Sequence, residues 1–368
     1  MSQLQILREE LLKPLQQCLN IAYKKNTLPI LGYVLLDFSE NNLEITATDT
    51  EVQLKISIAV QHQNPAMRIT LPGHKLLEIC KGLSEGTVLS ISIEAEKAII
   101  LAGKNRFTLL SLDPKEYPVF PEPAATLECR VKTTDLHYVL SKTVFAMAGL
   151  DVRQYLNGIL FNIEEDSLEV VATDSHRLAL AQRKLSAPIG QTKRALVPKN
   201  AISELLRLIN HSEEDCALSL SEQQITFASQ DFTLVSKLIH EQFVDFKKLI
   251  PKGGDKTLTV SAQDLKQALS LAAILTNEKS RGVRLELSRD RLKITANNPE
   301  YEAAETEISV TFPFDTFIVS FNVAYLLDIL AVSEQRNLIF SFSDANAVVL
   351  VQPEGGEDCL FVVMPLLI

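Results

Sequence analysis

The sequence predicts an α+β fold built from three copies of one domain, and three observations carry that prediction. First, a strand-then-turn phrase occurs three times: Leu43-Glu44-Ile45-Thr46-Ala47-Thr48-Asp49, Leu168-Glu169-Val170-Val171-Ala172-Thr173-Asp174 and Leu292-Lys293-Ile294-Thr295-Ala296-Asn297-Asn298. Thr48, Thr173 and Asn297 are spaced 125 and 124 residues apart, a period that means repeated domains rather than a short-repeat solenoid. Second, other landmarks recur at the same interval: Leu71-Pro72 answers to Val197-Pro198, and Phe107-Thr108-Leu109 to Phe232-Thr233-Leu234. Third, short alternating stretches outnumber helical ones and lack regular β-α-β alternation. That argues antiparallel sheets, with both helices of a copy on one face. The copies are expected at residues 1–125, 126–252 and 253–368.

The first copy opens on an amphipathic helix near residues 8–22. Leu11, Leu12, Leu15, Leu19 and Ala22 form its apolar stripe, and Pro14 is early enough to be tolerated or to kink it. Strands are predicted at about 33–38, 43–47 and 52–60, a short helix at about 74–81, and further strands to Leu112. Pro114, Pro118, Pro121 and Pro123 make a stiff linker. In the second copy Thr134-Asp135 reads as the cap of a helix whose apolar face is Leu136, Val139, Leu140, Val144 and Met147. Strands follow at about 158–163, 168–172 and 177–183, then a helix at 201–209 and a linker at Pro251-Lys252-Gly253-Gly254. The third copy begins with a capping-box variant, Ser261-Ala262-Gln263-Asp264, before a helix at 262–275. Strands at 282–287 and 291–296, a helix at 322–331 and strands at 337–343 and 347–351 complete it, and the chain ends on an apolar run from Leu360 to Ile368.

At 368 residues and 46% hydrophobic, the chain has apolar surface for several cores. It lacks an N-terminal apolar run and any 18-residue uncharged stretch, so neither a signal peptide nor a membrane span is expected. Five scattered cysteines without a CxxC fit reduced core thiols of a cytoplasmic protein, not zinc ligands. The net charge of −10 disfavours a strongly basic nucleic-acid-binding surface. Most of it belongs to residues 253–368, where 16 acidic residues face 9 basic ones.

Asp174, Ser175 and His176 supply the residue types of a catalytic triad, but adjacent residues on a strand point to opposite faces. A turn at a strand end is the expected reading. No GxSxG elbow, GxxxxGKS/T loop or HExxH pair occurs, and no two carboxylates stand out for acid–base work. Catalytic residues, cofactors and metals are therefore not expected. An enzyme using Asp174 and His176 is one competing reading; a multi-domain scaffold is another. The polar loop Asp151–Asn157 reads equally as a binding element or a link. At the chain end Pro365 is expected to stop strand pairing, freeing Leu366, Leu367 and Ile368 for a surface groove.

These residues carry a resemblance. The whole chain resembles the bacterial DNA polymerase III beta subunit family, the sliding clamps. The resemblance rests on Thr27-Leu28-Pro29-Ile30-Leu31-Gly32, Asp151-Val152-Arg153, Tyr155-Leu156-Asn157-Gly158, Thr173-Asp174 with His176-Arg177-Leu178, Asn277-Glu278-Lys279, Arg281-Gly282-Val283-Arg284-Leu285, Lys293 to Glu300, and Val362-Val363-Met364-Pro365. It implies three DNA-clamp domains, each with two helices on antiparallel sheets, in a head-to-tail homodimeric ring that encircles duplex DNA without sequence preference. Such a ring is a processivity factor for replication. Its implied partners are the DNA polymerase III alpha subunit, the clamp loader, other polymerases and repair proteins, which dock through short linear motifs. Size agrees: a domain of this length is roughly 36 Å wide, so three leave no hole and six leave one of about 30–35 Å. A duplex is roughly 20 Å across.

By resemblance, Lys25, His74, Leu150, Gln154 and Tyr155 lie at DNA-contact positions. The peptide pocket falls on Leu156, Thr173, Ser175, His176, Arg177, Leu178, Val244, Leu249, Val362, Val363, Met364, Pro365 and Leu366. Apolar peptide residues would meet Leu178, Val363, Met364 and Leu366, with Arg177 holding the polar end. The dimer contact falls on Lys75, Lys104, Arg106, Phe107, Ile274, Leu275, Glu300 and Glu302, the acidic run continuing to Glu305 and Glu307. Ala303 and Thr306 stand where the family usually has carboxylates, Ser175 where it has Gly, and Val244 where it has Pro.

Overall fold

The structure is a computed structural model that describes residues 3–22, 28–121, 124–210, 214–333, 336–356 and 358–366. The first repeat runs β1 (Gln3–Leu7), α1 (Arg8–Cys18), β2 (Tyr33–Thr48), β3 (Val52–Pro72), α2 (Gly73–Gly82), β4 (Val88–Glu94), β5 (Lys97–Ala102) and β6 (Asn105–Leu110). The second runs β7 (Leu127–Lys132), α3 (Thr133–Ser141), β8 (Gly158–Glu164), β9 (Ser167–Thr173), β10 (Arg177–Lys184), β11 (Lys193–Pro198), α4 (Lys199–Ile209), β12 (Asp215–Leu220), β13 (Gln224–Ala228) and β14 (Phe232–Lys237). The third runs β15 (Lys256–Ser261), α5 (Ala262–Ala273), β16 (Gly282–Ser288), β17 (Arg291–Asn297), β18 (Ala303–Ser309), β19 (Phe317–Asn322), α6 (Val323–Val332), β20 (Asn337–Phe342), β21 (Val349–Pro353) and β22 (Cys359–Val363). Repeats two and three share one order. In repeat one, β2 and β3 each do the work of two strands, with register shifts around Glu40, whose φ is 48°.

The first helix of each repeat is shorter than periodicity alone predicts, whereas α2, α4 and α6 match or exceed the expected length. The α1 helix starts where the Glu10 carboxylate accepts the Leu7 N–H at 2.9 Å, and it carries Pro14 buried in its interior without breaking. It stops at Cys18, not near residue 22: the Asn20 amide donates to the orphan carbonyls of Gln16 and Gln17 at 3.0 and 2.9 Å. The α3 helix includes Thr134 and Asp135 in its first turn instead of being capped by them. It ends at Ser141, before Val144 and Met147, where the Thr143 hydroxyl donates to the Val139 carbonyl at 2.7 Å and replaces a helical bond. The expected cap of α5 is present, with Ser261 Oγ accepting the Asp264 N–H at 3.3 Å, and that helix ends at Ala273.

Four sheets hold the strands, and among the described residues every pairing between named strands is antiparallel. Their orders are β1-β4-β5-β6, β2-β3-β14-β13-β12-β7, β11-β8-β9-β10-β22-β21-β20-β15 and β18-β17-β16-β19. The two larger sheets cross repeats by one rule. The strand after the Thr-Asp turn of one repeat pairs with the last strand of the next: β3 with β14 from Ile56↔Phe232, and β10 with β22 from Arg177↔Val363. The strands equivalent to these that stay unpaired on one side are β6 of the first repeat and β18 of the third.

Because the sheets cross the repeats, the compact units do not coincide with them. One unit is Met1–Thr134 with Asn200–Leu238; the other is Asp135–Lys199 with Ile239–Ile368. Within the second, the Gly253-Gly254 linker has a packing reason: a Cβ on Gly254 would lie 2.0 Å from the Phe342 carbonyl oxygen. The cysteines are unpaired, with Cys18, Cys80, Cys216 and Cys359 buried and Cys129 half-buried. Burial raises the thiols of Cys80 and Cys129 to about 11 and that of Cys216 to about 12, which keeps them protonated.

Candidate functional site

The recurring Thr-Asp phrase is a hydrogen-bonded turn. Thr48 Oγ1 donates to the Val52 carbonyl at 2.8 Å, and Thr173 Oγ1 to the Arg177 carbonyl at 2.6 Å. The aspartate closes the turn: Asp49 Oδ1 accepts the N–H groups of Glu51 and Val52, and Asp174 Oδ1 those of His176 and Arg177. The third copy keeps the device with asparagine, Asn298 Oδ1 accepting from Glu300 and Glu302. The intervening residue is left-handed in the first two copies, at φ 77° for Thr50 and 74° for Ser175. Ser175 thus occupies a conformation that favours glycine.

In the second copy the side chains that follow build a network around a guanidinium. The Arg177 guanidinium, 10% exposed, donates through Nε to Asp174 at 3.0 Å, to Asp328 at 2.5 Å and to the Phe145 carbonyl at 2.7 Å. It also lies 5.1 Å from the Phe145 ring and 4.6 Å from the Tyr325 ring. Arg177, expected to hold the polar end of a peptide, has each of its three nitrogens engaged within the protein, so it braces the wall beside the turn. His176 is exposed and stacked on Tyr325 at 6.1 Å and 19°. With Asp174 tied to backbone and Arg177, and His176 on an aromatic ring, the Asp174-Ser175-His176 run is a turn at a strand end.

Beneath it, Leu178 and Val362 face each other across β10 and β22. They belong to one apolar cluster with Leu160, Val171, Leu180, Leu196, Phe246 and Leu350, flanked by Tyr155, Ile239, Phe243, Val244, Ile250 and Val348. The floor is closed, Leu178 being 3% and Val362 4% exposed; Met364, just after β22, is 45% exposed and Leu249, next to Ile250, 46%. Val363 does not line this surface. Strand alternation turns it to the opposite face, on the side of Arg177, where it is fully buried. Leu156 and Thr173 are likewise buried. After β22 the Met364 N–H donates to the His176 carbonyl at 2.9 Å, and beyond Pro365 the Leu366 N–H donates to the Ser320 carbonyl at 2.7 Å. Leu366 is thus tied down, not free; Leu367 and Ile368 lie outside the described residues.

Tyr325, Asp328, Phe145, Phe243 and Val348 escaped sequence reasoning. They come from elements far from residue 176 in the chain, and no local pattern singles them out. Two fully exposed aliphatics, Leu150 and Val152, project from a loop stiffened by the Asp151–Arg153 pair and by reciprocal bonds between Asp151 and Asn157. Hydrogen bonds from Arg153 hold the Asp151 carboxyl down to about 2. Gln154 is exposed, whereas the Tyr155 ring packs edge-on against Phe243 at 6.4 Å in the apolar cluster. His74 is half-buried, its Nε2 lying 3.3 Å from the Ala22 carbonyl. Lys25 lies outside the described residues.

The remaining candidates lie on or beside the β6 and β18 edges, except Lys75 on α2. Lys75, Lys104 and Arg106 are exposed and Phe107 is half-buried, beside the exposed Leu101 and Leu110. On the other edge Ile274 is 73% exposed, with Leu271 exposed and Leu275 half-exposed near it. Glu300 is exposed and Glu302 accepts from Asn298 Nδ2 at 2.7 Å. Glu305 and Glu307 are engaged within their own sheet by Lys293 and Arg291 at 2.9 and 3.5 Å, which leaves less charge to offer outward than the acidic run implies. Among the described residues no group of three or more His, Cys, Asp or Glu is placed to hold a metal, and no helix is long and apolar enough to cross a membrane.

Comparison with known proteins agrees along the whole chain. Residues 2–121, 130–245 and 247–367 match the N-terminal, central and C-terminal domains of the DNA polymerase III beta subunit. The beta sliding clamp of Pseudomonas putida is 40% identical over 363 residues, 98% of either chain. That of Escherichia coli K12 is 36% identical over 362 residues, again 98% of either. The crystal structure of the DNA polymerase III subunit beta from Pseudomonas aeruginosa is 38% identical and covers all of both chains with a TM-score of 0.96. A second structure of that clamp, bound to griselimycin, matches equally well.

Proposed function

The chain belongs to the DNA polymerase III beta subunit family, the bacterial sliding clamps, and we propose that two copies close head to tail into a ring on duplex DNA. The observation that carries this reading is the pairing rule between repeats. It joins β3 to β14 and β10 to β22, and it leaves β18 and β6 over. Pairing β18 of one copy with β6 of the other continues the rule twice and closes the assembly with two-fold symmetry. Ile274 and Leu275 then meet Phe107, with Leu271 and Leu110 beside them, while Lys75, Lys104 and Arg106 face Glu300 and Glu302.

The clamp domains are taken as residues 1–125, 126–252 and 253–368. Inside the ring Lys25, His74, Leu150, Gln154 and Tyr155 approach the duplex without reading sequence. The weak basicity suits a topological link that slides. The DNA polymerase III alpha subunit, the clamp loader and other replication and repair proteins dock by short motifs on the surface formed by His176, Leu178, Val244, Leu249, Val362 and Met364. The protein works in the cytoplasm as a processivity factor without catalysis of its own.

Sedimentation and DNA retention test this. Wild type is expected to sediment as a dimer and, once loaded, to stay on circular DNA but run off linearised DNA. Ile274→Ala with Leu275→Ala is expected to give monomer at micromolar concentration. Retention on linear DNA equal to that on circular DNA would overturn the ring.

A further inference from the structure

A hollow of about 600 Å³ lies on the β16–β19 sheet, between the β18 strand and Leu366. Val283, Leu285, Ile294 and Val319 of this sheet are buried, so Arg284, Thr295 and Ser320 point to the other face, into the hollow. Register places these three in one row across β17, β16 and β19: Arg284 pairs with Thr295 on one side and Ser320 on the other. Neighbours in such a row stand about 4.8 Å apart. The row is therefore two hydroxyls flanking a guanidinium, with the Glu305 carboxylate, held by Lys293 at 2.9 Å, next beyond Thr295 in the lining. Small side chains at Gly282 and Ala303 keep the space open, and Leu366 walls one end.

Charge makes this more than a dent. Of the three cations on β16 and β17, Arg291 and Lys293 are paired with Glu307 and Glu305. Arg284 is exposed and has no carboxylate partner among the described residues, and neither do the Thr295 and Ser320 hydroxyls have a hydrogen-bond partner there. In the third of the chain that carries most of the negative charge, these three donors stand unpaired beside a Glu305 carboxylate that Lys293 already engages. The hollow also adjoins the peptide surface. Met364 belongs to that surface and Leu366 to the hollow, and the two-residue step between their Cα positions spans at most about 7 Å. A docked segment of a few more residues reaches both.

We infer that the Arg284 hollow receives the carboxylate of an acidic residue flanking the apolar part of a docked peptide. The inference rests on the peptide-groove reading. It is tested on the full chain by fluorescence polarisation with labelled peptides that share a Leu-Phe core and carry either Glu-Glu or Gln-Gln, on either flank. On one flank the acidic peptide is expected to bind up to about fivefold tighter, the size of an exposed ion pair, with the gain shrinking in salt. Arg284→Glu is expected to reverse that preference while leaving the Gln-Gln affinity and the sedimentation mass unchanged; Arg284→Lys keeps part of it. Equal binding of the two peptides on both flanks, or a preference that survives Arg284→Glu, overturns the hollow alone. Failure of the Gln-Gln peptide to bind wild type overturns the groove reading, and the hollow falls with it.

Discussion

The first and second Thr-Asp turns have the same backbone and opposite surroundings. Both use the threonine hydroxyl and the aspartate carboxylate in the same way, and both put one residue near φ 75°. In the first, Glu51, Val52 and Gln53 follow. Gln53 is 1% exposed and its amide oxygen accepts the Phe120 N–H of the proline-rich linker at 2.8 Å; Glu51 pairs with Lys237, whose ammonium lies over the Phe120 ring. In the second, His176, Arg177 and Leu178 follow, and the segment from Ile239 to Ile250 brings Phe243 and Val244 against an apolar face. The difference teaches that the turn only presents side chains. The residue four positions after the aspartate marks the difference: the amide of Gln53 binds its linker, and Leu178 joins an apolar cluster.

The largest effect is expected from making the second turn resemble the first. Leu178→Gln places an amide in an apolar cluster without Phe120 to satisfy it. It should cost about 2–4 kcal/mol in thermal unfolding and weaken peptide binding more than tenfold. Arg177→Ala comes next. Its loss strands Asp174, the Phe145 carbonyl and a half-exposed Asp328, for about 2–3 kcal/mol by denaturant titration. The counterpart Lys237→Ala, an exposed pair, should stay within about 0.5 kcal/mol.

Two smaller changes sharpen the comparison. Gln53→Leu should cost about 1–2 kcal/mol by removing the acceptor of a linker N–H, and create no peptide site. Ser175→Gly should gain up to about 1 kcal/mol by relieving a left-handed residue, despite the lost contact with Arg153 at 3.3 Å. Last is the Asp151 carboxyl. Its folded value, about 2, lies below the ordinary one, so its contact with Arg153 contributes above about pH 4 and is lost as pH falls through about 2. Carbon NMR of Asp151 should show that low midpoint, and an ordinary midpoint would mean that the loop is not held as described.

Much of the fold was legible in residues alone. The triplicated Thr-Asp phrase, the paired prolines at 72 and 198, and the Ser261 cap each specify a local event by hydrogen bonding or dihedral preference. Helix ends were less legible, because the Asn20 amide and the Thr143 hydroxyl compete with the backbone in ways that apolar periodicity does not register. The apolar cluster beneath the second turn was legible only in part: Leu178, Val362 and Val244 do come together, whereas strand alternation turns Val363 to the opposite face.

What the sequence determined by itself is therefore the set of repeated turns, the alternating strands and the three-copy order, all set by contacts within a few residues. The tertiary structure decided which strands of different repeats share a sheet, and with them the compact units that cut through the middle repeat. It also decided that Arg177 is a brace, since its partners Asp328 and Phe145 are brought near by a sheet and a helix and not by chain position. The physical reason is that a strand's edge bonds to any matching edge, so its partner is chosen by the packing of the whole and not by its neighbours in sequence.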